Sequence, residues 1–201
     1  MRSVLALLAA LLLSLVPATA QNLNVAANPA EAFVSRTITD GFAILNDTGI
    51  SRDARASRLE NLLLAATDLR RIALFTLGDA AASPEHKDAF AAAFRDYALA
   101  VWRQQFLSYG GKTLAVTGSR QNAPGDVIVR AMLSDPNDGV SAPVDFRVRT
   151  DGPAPLILDV GFAGIWLAVT QRDDFAAYLA RNKGDVGALA ADLAARAKAI
   201  R

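Results

Sequence analysis

The stretch DVIVRAMLSDPNDGVSAPVDFRVR, Asp126 to Arg149, decides the fold. Val127, Val129, Ala131 and Leu133 fall on one parity, and Val144, Phe146 and Val148 repeat it with Asp145, Arg147 and Arg149 between them. A period of two marks β-strands with one apolar and one polar face. Asp135-Pro136-Asn137-Asp138-Gly139 separates them with turn chemistry, so the two strands are expected to pair as antiparallel neighbours.

Working outward, Leu114 and Val116 alternate with polar neighbours before Pro124-Gly125, which reads as a further hairpin turn. Beyond Asp151-Gly152-Pro153 lie the apolar runs Leu156 to Phe162 and Gly164 to Thr170, expected as the last strands. No helical pattern interrupts these segments. The sheet should therefore be a curved antiparallel meander of four or five strands.

Helical spacing dominates on either side. Pro29 opens a segment with Phe33, Val34, Ile38, Phe42 and Leu45 on one face; a second helix follows Ser51; a third runs from Thr67-Asp68, with Thr67 as a cap, to Gly78. The longest has Ser83 as N-cap, Pro84 at its first position and Gly110-Gly111 at its end. Inside it, Phe90, Phe94, Tyr97 and Val101 form one row, and Trp102, Phe106 and Tyr109 a neighbouring one. Those rows are compatible with a filled core or with a cavity wall. Two helices, about Arg172 to Arg181 and Asp185 to Ile200, close the chain. The expected class is α+β: N-terminal helices, the sheet, then C-terminal helices, with an apolar cavity between sheet and helices.

The ends and the composition limit the function. Residues 1–20 carry Arg2, an apolar run from Val4 to Val16 and Ala18-Thr19-Ala20, the pattern of a cleavable secretory signal peptide. Residues 21–28 read as a flexible lead, and residues 29–201 as a single domain. There is no cysteine, hence no disulfide, thiol nucleophile or thiolate metal site. Without Arg2 the acids and bases balance, and they are interspersed, which argues against nucleic acid as a partner. The only histidine, His86, sits in a charged helix start, and no phosphate-loop, nucleophile-elbow or zinc-protease motif occurs. No metal or cofactor is expected. Asp159, inside Leu156-Ile157-Leu158-Asp159-Val160, is the one acid worth weighing: facing a cavity it would be a general base, and facing out beside Arg130 it would be an ion-pair member.

Several strings, taken in order, resemble the MlaC or toluene-tolerance family of periplasmic phospholipid-binding proteins. They are Asn28-Pro29, Leu77-Gly78, Ser83-Pro84-Glu85, Phe90-x-x-x-Phe94-Arg95-x-Tyr97, Val144-Asp145-Phe146-Arg147-Val148, Asp159-Val160, Gly164, Gln171-Arg172-Asp173-Asp174-Phe175 and Gly184. The chain departs where the family commonly has Glu-Gly-Val/Ile-Ser; here it is Ala163-Gly164-Ile165-Trp166. The resemblance implies a non-enzymatic periplasmic carrier of diacyl phospholipid. It would move lipid between an outer-membrane lipoprotein complex and the MCE-domain subunit of an inner-membrane ABC transporter, maintaining outer-membrane lipid asymmetry. A monomer is expected. On this reading Leu74, Phe75, Trp102, Phe106, Val127, Val129, Val144, Phe146, Val148, Ile165 and Leu167 line the tail cavity. Three alternatives stay open: a hopanoid or other polycyclic lipid as cargo, a small enzyme on a cone-shaped scaffold using Asp159, and a structural periplasmic adaptor with a filled core.

Overall fold

The computed structural model describes residues 28–200 apart from 81–83, 108–110, 138 and 140. The signal segment, most of the lead, the Ser83 cap, Tyr109 and Gly110 lie outside the described residues.

Three helices come first: α1 (Pro29–Asn46), α2 (Arg52–Ala66) and α3 (Leu69–Leu77). Each begins at a side chain that accepts a backbone N–H left over at the helix start. Asn28 takes Ala30 N–H at 3.0 Å, Ser51 takes Ala54 N–H at 3.2 Å and Asp68 takes Arg71 N–H at 3.0 Å. Thr67, expected as the third cap, instead donates its hydroxyl to Leu63 O at 2.7 Å, because it terminates α2 and the carboxylate one residue on is the better acceptor. The long α4 (Pro84–Leu107) follows a short 3-10 turn over Gly78–Ala80.

The sheet is an antiparallel meander in chain order: β1 (Thr113–Ala123), β2 (Asp126–Ser134), β3 (Ser141–Arg149), β4 (Leu156–Phe162) and β5 (Ile165–Trp166). Val127 faces Val148, Val129 faces Phe146 and Ala131 faces Val144, so the apolar parities of β2 and β3 share one side. That side packs against Ala30 and Val34 of α1 as one core. The opposite side carries cross-strand ion pairs. Arg130 grips Asp145 with two bonds of 2.7 and 2.8 Å, and Arg147 holds Asp126 at 2.8 Å. Its Arg130 partner holds the Asp145 carboxyl below the usual carboxylate range.

The end of the sheet departs from the alternation pattern twice. Arg147 pairs with Asp159 and Val148 with Ile157, so Leu158 has no partner and forms a β-bulge. Then the run expected as a strand to Thr170 yields only two strand residues, and α5 (Leu167–Arg181) begins directly behind them. Trp166 occupies the N-cap position without a side-chain bond to the helix. The cap comes from the sheet instead: Ala168 N–H donates to Asp159 Oδ1 at 2.9 Å. Ala163 and Gly164 make the intervening turn with φ of 49° and 87°, the two positive values a type I′ hairpin needs.

α6 (Val186–Ile200) lies along α4. Phe90, Phe94, Phe175, Leu189 and Leu193 join α4, α5 and α6 in a second core, in which the Phe175 ring stands edge-on to Phe90 at 5.6 Å and to Phe94 at 6.3 Å. The protein thus has two packed centres, one sheet-and-α1, the other helical. Space remains between them.

Candidate functional site

That space consists of two adjoining cavities. The larger, about 280 Å³, lies between α4 and β4, is bordered by α3 and α5, and opens to solvent. Phe94, Tyr97, Ala98, Val101 and Trp102 form its α4 wall; Ile157 to Val160 form the β4 wall; Leu69, Ile72 and Thr76 come from α3, and Leu167, Ala168 and Gln171 from α5. The smaller, about 120 Å³, lies under the α1–α2 pair. Ile38, Gly41, Phe42 and Leu45 of α1 face Leu59, Leu62 and Leu63 of α2, over a floor of Leu114, Phe146 and Ile157. Neither cavity has a lysine, arginine or histidine among its described lining residues.

Four threonines line these cavities, and each turns its hydroxyl into its own backbone. Thr37 donates to Phe33 O at 2.9 Å, Thr67 to Leu63 O at 2.7 Å, Thr76 to Ala73 O at 2.8 Å and Thr170 to Trp166 O at 3.0 Å. A threonine that bonds back in this way satisfies its hydroxyl within its own turn. The walls are therefore more apolar than their composition, and a hydrocarbon chain meets no unsatisfied threonine hydroxyl.

Asp159 is the one buried carboxylate on the wall, 8 % exposed. Its Oδ1 accepts Val160 N–H at 2.8 Å and Ala168 N–H at 2.9 Å. Burial pushes its pKa up, against the opposing pull of those two amides and of Arg147 across the strand pair. The partner anticipated for it, Arg130, is committed to Asp145. The bulge at Leu158 also separates Asp159 from Ile157, which turns inward and is buried. Through Oδ1 the carboxylate binds the start of α5 to the end of the sheet, a structural task. His86 lines neither cavity, and among the described residues no group of three or more His, Cys, Asp or Glu could hold a metal ion.

The residues expected to line a cavity fall into four sets. Trp102 lines both cavities, Leu167 the larger and Phe146 the smaller. Val127, Val129, Val144 and Val148 line neither; they face α1 in the filled sheet core, because Ala30 and Val34 occupy the space over them. Leu74 is half-buried beside neither cavity. Phe75 is exposed with the Arg172 guanidinium 5.4 Å from its ring centre, and Ile165, 61 % exposed, sits on the tip of the β4–β5 hairpin opposite Phe162. Phe106 belongs to α4, but its side chain lies outside the described residues. The α1 and α2 side of the smaller cavity was not anticipated. Gly41 was the available signal, since a glycine on the apolar side of a helix interior costs about 1 kcal/mol relative to alanine and asks for a reason.

An α+β frame with an unfilled, largely apolar cleft between two cores defines a class: proteins built to hold a hydrocarbon ligand. The chain belongs to the MlaC protein family, whose model matches residues 35–195. A solved structure of the same fold is the phospholipid-binding protein from Ralstonia solanacearum in complex with a phospholipid. It is similar at 21 % identity with a TM-score of 0.74, over 86 % of this chain and 99 % of that one. No curated protein matches the chain.

Proposed function

We propose that the protein is a periplasmic carrier that holds a diacyl phospholipid by its acyl chains. The observation that carries this reading is the cleft: two adjoining cavities without a basic side chain among their described lining residues, whose threonines hide their hydroxyls. The Ralstonia solanacearum protein, alike over nearly its whole length, supports the choice of phospholipid, and the export segment read in residues 1–20 supports the compartment.

Energetics define the task. Two acyl chains carry roughly 30 methylenes, and at about 0.8 kcal/mol each their removal from water is worth on the order of 24 kcal/mol. That exceeds the practical ceiling of non-covalent affinity, about 18 to 21 kcal/mol. A carrier cannot gain it over a bilayer; it exchanges one apolar environment for another. The cleft then needs dryness and shape, while the headgroup stays near solvent. No acid–base chemistry enters. The partners this role requires are the MCE-domain subunit of an inner-membrane ABC transporter and an outer-membrane lipoprotein complex, and the outcome is maintained outer-membrane lipid asymmetry.

The test is uptake. Mature protein is incubated with vesicles containing a tail-labelled fluorescent phospholipid and separated by gel filtration. The carrier reading expects label to co-elute with protein near one lipid per chain. Protein that emerges unlabelled, while its circular dichroism shows it folded, refutes it.

A further inference from the structure

Among their described lining residues the two cavities share only Thr67, Trp102 and Ile157. One side of this throat is fixed. Thr67 and Ile157 are joined by a parallel β-bridge, and the Thr67 hydroxyl is tied to Leu63 O at 2.7 Å. On the other side stands Trp102, half-buried near the end of α4 and the largest described side chain that lines both spaces. The spaces it separates are unequal, about 280 against 120 Å³. Gly41 keeps the smaller one open: a Cβ there would meet only Leu62 Cδ2, at 3.6 Å, an ordinary contact. A larger side chain at position 41 therefore occupies the slot without displacing backbone.

We infer that Trp102 is a partition dividing the hydrocarbon space into two slots, so that the cargo is forked, one chain on each side of the indole. This rests on the phospholipid reading and goes beyond it by naming the residues that set chain number. A two-chain lipid straddles Trp102; a one-chain lipid fills one slot and leaves the other for a second molecule. The unequal volumes make the two single-chain events differ in affinity, since the smaller slot covers fewer methylenes. Trp102 is thus a specificity-determining residue, and Gly41 supplies the room that makes the second slot usable.

Native mass spectrometry of delipidated mature protein tests this, with dioleoyl phosphatidylethanolamine vesicles and, separately, the single-chain oleoyl lysophosphatidylethanolamine. The wild type is expected to take one diacyl lipid, or two single-chain lipids in two steps. Gly41→Leu should take one single-chain lipid and lose diacyl uptake by about tenfold or more, the equivalent of two displaced methylenes. Adding Trp102→Ala to Gly41→Leu should restore diacyl uptake, because both chains then share the enlarged first slot. Should Gly41→Leu fail to fold, Gly41→Ala, which favours the helix, gives the same ordering with a smaller loss. A wild type that saturates with one single-chain lipid, or a Gly41→Leu that keeps both stoichiometries, overturns the partition while leaving phospholipid binding intact. Uptake of neither lipid by the wild type overturns the partition and the carrier reading together.

Discussion

Replacing Asp159 separates its two physical roles. In Asp159→Ala the Val160 and Ala168 amides lose their acceptor, and Ala168 is buried, so its N–H has no ready substitute from solvent. A lost helix cap costs about 1 kcal/mol, and an unsatisfied buried donor about 1 to 3 kcal/mol. Both figures describe the same Ala168 bond, so the expected loss is about 1 to 3 kcal/mol, a sizeable part of a typical folding free energy. Asp159→Asn keeps the accepting oxygen and removes the charge whose burial raises the pKa. It should therefore match or exceed the wild type at pH 7. The pH dependence carries a definite sign. A carboxyl with a folded pKa above its unfolded value adds stability that is complete below the unfolded pKa and is lost as pH rises through the folded one. The advantage of Asp159→Asn over the wild type should accordingly grow on going from pH 4 to pH 7. Urea unfolding midpoints at several pH values measure all three proteins. If Asp159→Asn falls as far as Asp159→Ala, the charge is the stabilising element and the tertiary-cap argument is wrong.

Other perturbations follow from equally local features. Ala163→Asn places the preferred Asn-Gly pair on the type I′ turn now made by an alanine at φ 49°, and should raise stability by about 0.5 to 1 kcal/mol in thermal unfolding. Gly161→Val should expel the indole of Trp166, since even a Cβ at 161 would lie 3.2 Å from Trp166 Cε3; a red-shifted tryptophan emission in a Trp102→Phe background reads it, and unchanged emission contradicts the packing. Thr67→Val should leave lipid uptake within about twofold, because the wall already presents a methyl, whereas Thr67→Asn should reduce it by tenfold or more, a polar amide in an apolar site costing about 1 to 3 kcal/mol; equal uptake by both variants contradicts the dry-wall argument.

The central strands were readable because each has one dry and one wet face. Val127, Val129, Ala131 and Leu133 keep one parity apolar, as do Val144, Phe146 and Val148, and the register pairs them parity to parity, although Ile128 is also buried on the other face. The alternation failed where an extra residue entered an apolar triplet: Leu156-Ile157-Leu158 contains no mark that Leu158 is unpaired, yet that one residue separates Ile157 from Asp159. The start of α5 was hidden for a related reason. Ile165-Trp166-Leu167-Ala168-Val169-Thr170 has strand-like composition, and its helix cap arrives from Asp159, far back in the chain. Periodicity identifies the apolar face of a helix and is silent on what that face meets. Phe90 and Phe94 lie in one row with Tyr97 and Val101, yet Phe90 is enclosed in core and Tyr97 and Val101 border open space. The same silence concealed the α1–α2 slot and made the sheet valines look like wall residues when α1 already covers them.

The most direct test of the carrier claim is to isolate the mature protein from its own cells without detergent, weigh it by native mass spectrometry and identify what organic solvent extracts from it. The account predicts a stoichiometric adduct that resolves as a diacyl phospholipid. A protein that weighs only its polypeptide mass, before and after exposure to phospholipid vesicles, would contradict it.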